Sequence, residues 1–295
     1  MKEVRSKKPR VIVRILLLTL SLCLLAGGLL FPQQTLKVDV NLVNVFATVK
    51  DEHGDFVNNL DREDFRLYED DQLQDIQIFE KQNRMDSSIG ILMDTSGSMV
   101  DILPFIKKGI RDFTRALPHN NEFFITSFGS DVKLLHKSSQ SEKHLDESMQ
   151  NLRAWGTSLM FDALLDSITK IEETKHPRKA LIVFSDGNDN GSRTGYGEVV
   201  EESQRSAVLL YFVAIGSQVL VDTHTVESLA NISGGQTFYV AKQAAISSVL
   251  DEIRTELSQQ YYLGYYATRQ PGFHRIRVEV SGHEVMIRAK TGYVY

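Results

Sequence analysis

The pattern of apolar and polar positions changes character three times along the chain. Residues 2–14 are basic, and residues 15–31 then run without a charge until Pro32 and two glutamines close the stretch. From residue 36 to 50 apolar and polar positions alternate. Leu36, Val38, Val40 and Leu42 share one parity, and Val43, Val45, Ala47 and Val49 share the other. A period of two predicts a half-buried strand, and the parity change predicts a bulge or a strand that changes its facing sheet. Residues 51–55 read as a turn, and 65–69 and 76–79 as short strands with Asp70-Asp71 turning between them. No helical spacing occurs over residues 36–82.

From residue 86 the period changes. Residues 89–93 form an unbroken apolar run, which predicts a buried strand. Ile102, Phe105, Ile106, Ile110, Phe113 and Leu117 then recur at helical spacing over 101–117, and Pro118 follows. Strands are predicted at 122–128, 132–136, 180–184, 208–215 and 237–240. Helices are predicted at 142–152, 158–173, 197–206, 223–233 and 244–257. This alternation predicts an α/β fold, a doubly wound and mostly parallel sheet covered on both faces. The tail returns to strands at 261–266, 274–280 and 285–289. So short a tail makes a poor domain alone. The two β segments therefore predict one small β-sandwich built from both ends, with the α/β domain inserted between them. The expected organisation is an export segment over 1–34, sandwich strands over 35–85, the α/β domain over 86–258 and the remaining sandwich strands over 259–295.

Charge and cysteine content narrow the function. The chain carries 33 Lys and Arg against 38 Asp and Glu, a net charge of -5. Lys2, Arg5, Lys7, Lys8, Arg10 and Arg14 all precede the apolar run, so the body is more acidic still. That body offers no basic footprint for nucleic acid. Basic residues, an apolar run and Ala26-Gly27-Gly28 form the pattern of an export signal. The run over 15–31 approaches bilayer-spanning length, so it reads either as a cleaved signal or as a retained anchor. In both cases the positive-inside rule places the body outside the cytoplasm, as a periplasmic, cell-surface or secreted protein. Cys23, the only cysteine, lies in the apolar run, which excludes an internal disulfide or a thiolate site in the body.

The chemistry collects at three loops. Asp94-Thr95-Ser96-Gly97-Ser98 follows the first α/β strand. Trp155-Gly156-Thr157 precedes the helix at 158–173. Ser185-Asp186-Gly187 follows the most apolar strand. In open α/β sheets ligands bind beyond the carboxyl ends of the strands, where strand order reverses. The donors are all hard oxygens, which suits Mg2+, with Mn2+ and Ca2+ as alternatives. Read alone, Ser96 or Ser98 is equally an ordinary helix N-cap. Asn188, Asp189 and Asn190 read as a solvated loop, and Trp155 reads either as an exposed contact or as a packing residue.

Asp-x-Ser-x-Ser, a separate Thr and Ser-Asp-Gly, in that order on this alternation, resemble the von Willebrand factor type A domain and its metal-ion-dependent adhesion site. The resemblance covers residues 86–258. The flanks, with Asp-Phe-x-Leu-Tyr-Glu-Asp before it and Tyr-Tyr-Leu-Gly-Tyr-Tyr after it, are similar to those of related proteins described in acidobacteria. The resemblance implies that Ser96, Ser98 and Thr157 are hydroxyl ligands of a divalent cation. It implies that Asp94 and Asp186 hold the ion largely through water or hydrogen bonds. The implied function is a non-catalytic adhesion or protein-binding module whose partner offers a Glu or Asp carboxylate. It further implies that the last helix, 244–257, moves when the site engages a ligand. Two other readings compete. A metal-dependent hydrolase of the haloacid dehalogenase type would need a second acid two residues after Asp94, where Ser96 stands, and no nucleophile–base pair is visible. A structural component of an envelope assembly would associate without metal.

Overall fold

The computed structural model describes residues 42–81, 86–216, 221–267 and 270–295. The expected export segment, Cys23 and the alternation before Leu42 lie outside these residues. Among the described residues no helix is long and apolar enough to cross a membrane.

The described residues open with four strands, β1 (Leu42–Lys50), β2 (Phe65–Glu69), β3 (Gln72–Gln74) and β4 (Ile78–Lys81). The α/β section follows as β5 (Ser87–Asp94), α1 (Leu103–Ala116), β6 (Glu122–Phe128), β7 (Val132–Lys137), α2 (Glu142–Gln150), α3 (Met160–Glu172) and β8 (Arg178–Ser185). It continues through α4 (Tyr196–Arg205), β9 (Leu209–Ile215), α5 (Thr223–Ser233), β10 (Thr237–Val240) and α6 (Ala245–Gln259). The tail forms β11 (Tyr261–Tyr266), β12 (Phe273–Val280), β13 (Met286–Ala289) and β14 (Gly292–Val294).

The central sheet has the order β10-β9-β8-β5-β6-β7 and is parallel except for β7 against β6. The first strand to enter, β5, has β6 on one side and β8 on the other. Strand order therefore reverses at β5, and its carboxyl end is the crevice where such sheets bind ligands. Every position of β5 and of β8 is buried, as their apolar runs require when helices cover both faces. Alternate residues serve different layers. Ile89, Ile91, Ile182 and Tyr211 pack with α1 and α6, while Leu92, Leu181, Val183 and Phe212 pack with α3 and α5.

The flanking segments pair across the length of the chain. β1 runs antiparallel to β11, from Leu42 opposite Tyr266 to Ala47 opposite Tyr261, and the first sheet has the order β13-β1-β11-β4. The second sheet has the order β14-β12-β2-β3. Val45, Val49, Phe65, Leu67, Tyr261, Leu263, Tyr265 and Ile276 form the core between the two sheets. One expectation is corrected here: β1 is not half-buried. Its Val43, Val45, Ala47 and Val49 face the sandwich core, but Phe46 stacks on Tyr262 within the α/β core and Thr48 is also buried. The strand is covered on both faces because the α/β domain packs on the outer side of its sheet. Two short strands, β3 and β14, were not predicted.

A buried polar network ties α6 to the sandwich. Glu256 of α6 has no exposed surface and accepts a hydrogen bond from Tyr211 Oη at 2.7 Å. Arg288 of β13 pairs with Glu256 and with Gln236 and donates to the Gly234 carbonyl at 3.3 Å. Gln260 Nε2 reaches both Thr48 Oγ1 at 3.2 Å and Tyr211 Oη at 3.1 Å. Within the sandwich, His274 places Nε2 2.7 Å from the Gln270 carbonyl and Nδ1 2.7 Å from Asp70 Oδ2 and 3.4 Å from Glu69 Oε1. Acceptors at both nitrogens favour the imidazolium, and the Gln270 carbonyl and the Asp70 carboxylate hold its pKa above the ordinary value.

Two measurements test these contacts. Removing one partner of a buried ion pair costs about 3–5 kcal/mol, so Arg288→Ala should lower the unfolding free energy in urea by that amount. Adding Glu256→Gln should recover part of it. The folded state holds the His274 proton more tightly than the unfolded chain. Its contribution is therefore fully present below the unfolded value of about 6.5 and is lost as pH rises through the raised folded value. The stability difference between wild type and His274→Gln should shrink across that window, and a constant difference would exclude the imidazolium.

Candidate metal site

Asp94 ends β5 with its side chain wholly buried. Three donors from three segments satisfy it. The Ser96 N–H reaches Oδ1 at 2.7 Å, and the hydroxyls of Ser158 and Ser185 reach Oδ2 at 3.2 and 2.8 Å. Burial nevertheless pushes the Asp94 carboxyl above its ordinary value. The nearby charge of Asp186 acts in the same sense, against the hydrogen bonds from Ser96 and Ser185. The charged neighbour acting on this buried acid is therefore a second acid.

The loop after β5 forms a short 3-10 turn, Gly97–Met99, before α1 begins at Leu103. The helix expected from residue 101 thus starts two residues later, and its N-cap is Ile102. Ser96 flanks the 3-10 turn but makes no side-chain capping bond. Its hydroxyl lies 3.0 Å from that of Ser98 instead. The helix-cap reading of these serines therefore fails, and the two hydroxyls stand together beside the buried carboxylate.

The second loop is stitched to the first by backbone bonds. Trp155 N–H donates to the Thr95 carbonyl at 2.8 Å, and Gly97 N–H donates to the Gly156 carbonyl at 3.1 Å. Thr157 comes next and is exposed. Gly156 has φ +80, and a Cβ there would lie 2.0 Å from Ser130 Oγ, so conformation and space both require glycine. The third loop follows Ser185, whose hydroxyl both donates to Asp94 and accepts from Gly187 N–H at 3.1 Å. Asp186 is half-buried and accepts from Asn188 N–H at 3.1 Å.

The predicted residues thus fall on three adjoining loops at the carboxyl end of the sheet. Asp94, Ser96 and Ser98 are joined directly, and Thr157 and Asp186 adjoin residues bonded to that turn or to Asp94. Sequence reasoning missed the loop's own fastenings. Asn190 Oδ1 accepts from Ser158 N–H at 2.8 Å, and Asp189 accepts from Phe161 N–H at 2.9 Å and from Ser192. Asn188 and Asn190 are exposed, as a solvated loop requires, but Asp189 and Asn190 also act as anchors. No local spacing signals their bonds to Phe161 and Ser158, made across about thirty residues. The donor set of hydroxyls and carboxylates fits a hard divalent cation.

Comparison with known proteins agrees with the fold and places the family. The von Willebrand factor type A domain profile matches residues 87–238, just over half of the chain. The chain belongs to the von Willebrand factor type A domain family. Among solved structures it is similar to a von Willebrand factor type A protein from Catenulispora acidiphila, at a TM-score of 0.53 and 11% identity, over 88% of this chain and 75% of that one. It is also similar to proximal thread matrix protein 1 from the mussel byssus, in a form whose MIDAS motif is occupied by zinc. That match has a TM-score of 0.53 and 13% identity, over 65% of this chain and half of that one. No curated protein sequence matches significantly.

Gly156→Ala should destabilise the fold by about 1–2 kcal/mol through the left-handed backbone alone. Urea unfolding checks this, and an unchanged midpoint would show that the loop is free to relax.

Proposed function

We propose that this chain is an exported, non-catalytic protein-binding or adhesion module. It grips an acidic group of its partner through a divalent cation held by Asp94, Ser96, Ser98, Thr157 and Asp186. The observation that carries this reading is the wholly buried Asp94 carboxylate. It is fastened to all three loops, with Asp186 as the charge that acts on it and paired serine hydroxyls beside it. When bound, the cation supplies an open coordination position whose positive charge neutral hydroxyl ligands leave largely unquenched, and a carboxylate fills such a position strongly. The groups that bond Asp94 are an amide and two hydroxyls, with no imidazole base among them, which supports binding over hydrolysis.

Mg2+ suits the oxygen donors, and the zinc in the mussel protein of the same fold puts Zn2+ beside it in any test. Membership of a family of interaction modules supports a protein partner. Export rests on the sequence pattern of residues 1–34, with 15–31 as the anchor where the segment is retained.

Binding to the native state raises the melting temperature as metal concentration rises. Mg2+ should therefore stabilise the full chain, and Asp94→Ala should abolish that response while circular dichroism shows the fold intact. Capture from the native envelope with the full chain should retain partners in Mg2+ and release them to chelator. Partners retained equally in chelator, or by Asp94→Ala, would replace this reading with metal-independent association.

A further inference from the structure

Trp155, the chain's only tryptophan, stands 68% exposed two residues before Thr157. Among its described residues the α/β domain exposes two other large apolar side chains, Val100 at 55% and Phe105 at 43%. The remaining exposed ones among the described residues, such as Leu73, Phe273 and Met286, belong to the sandwich. Among the described residues, the exposed large apolar side chains of the α/β domain thus lie on the Thr157 loop, just past the turn that carries Ser98 and in the first turn of α1. Single exposed apolar residues need no explanation, but apolar side chains exposed on the loops of a polar candidate site are positioned for a partner contact.

The loop presents this indole from a fixed position. Trp155 N–H is bonded to the Thr95 carbonyl and the Gly156 carbonyl to Gly97 N–H, so the loop is clamped to the turn that carries Ser96 and Ser98. Val100 leaves the same turn one residue past its end. A rigid, amphipathic side chain on a clamped loop is the kind of group that carries interface energy, because little motion is lost on contact.

Resting on the function proposed above, we propose that the site recognises an acidic residue together with an apolar neighbour in an extended segment of a protein partner. The acid takes the cation, and the apolar side chain packs on Trp155 with Val100 beside it. Trp155 and Thr157 are two residues apart, a Cα separation of at most about 7 Å. An extended chain advances about 3.3 Å per residue and returns to the same face every second residue. An apolar residue two positions from the acid shares the acid's face and spans a comparable distance, so that is the spacing assigned to it.

The test uses the full chain and blocked pentapeptides with a central Glu. One peptide is otherwise glycine, and others carry Leu or Phe two positions before or after the Glu. As the sole tryptophan, Trp155 reports binding by its own emission. In Mg2+ the Leu and Phe peptides should bind at least about ten-fold tighter than the glycine peptide, a gap of 1.4 kcal/mol, and should shift the emission to the blue. Chelator and Asp94→Ala should remove binding of every peptide. By calorimetry, Trp155→Ala should bind the Leu peptide as weakly as the glycine one. Mg2+-dependent binding with no preference for Leu or Phe, or a preference that survives Trp155→Ala, overturns the apolar rim and leaves the metal reading standing. Failure of every peptide to bind in a Mg2+-dependent way overturns both.

Discussion

A carboxylate with no exposed surface is the constraint around which this structure is organised. Burying an ionised group without partners costs several kcal/mol or forces it to take a proton. Asp94 offsets part of that cost by drawing one donor from its own turn, one from the start of the segment leading into α3 and one from the end of β8. Each bond fixes a different loop, so the three loops hold one arrangement or leave a donor or the acid unsatisfied. The sheet makes this economical. β5 is the strand where order reverses, and the neighbouring ends of β5 and β8 bring the Asp94 and Ser185 side chains together without any long excursion of chain.

The same site is locally unfavourable. Asp186 raises the cost of charging Asp94 rather than lowering it. Functional sites commonly carry such a penalty, and the surrounding structure compensates for it. Here the compensation is rigidity in the loops. Gly97 to Gly156, Trp155 to Thr95 and Asn190 to Ser158 are cross-loop bonds that keep hydroxyl and carboxylate oxygens in place before anything binds. Preorganised oxygens lower the ordering cost of any ligand they hold.

Much of this was legible in the sequence because it depends on periodicity. The parallel sheet, the inserted order and the strand at 261–266 follow from apolar runs and spacing that tertiary packing left unaltered. The strands β3 and β14 escaped because three residues are too few to show a period. The second buried face of β1 escaped for a different reason. Phe46 and Thr48 are covered by α6 and its neighbours, elements about two hundred residues away, and alternation in one segment carries no information about what lies over it. The ligand candidates were legible as an ordered motif. Their supports, Ser158, Asp189 and Asn190, were not, since each acts through a bond to a distant loop. The exposure of Trp155, left open between contact and packing by the sequence, is something no local pattern reports.

The resemblance to related domains implies a last helix that moves when the site engages. The structure sets the physical terms for any such motion. Glu256 is buried against Tyr211, and Arg288 of the sandwich is its charged partner. Gln260, the residue between α6 and β11, hydrogen-bonds to Thr48 and Tyr211 at once. A helix that shifts along its axis has to find new partners for its groups turn by turn, and packed interfaces do so in discrete steps rather than by continuous sliding. Moving α6 would leave the Glu256 charge without Arg288 unless β13 moved with it. The helix and the sandwich therefore shift together or stay together. A signal leaving the candidate site through α6 would reach the strands drawn from both ends of the chain as a single displacement of the sandwich against the α/β domain.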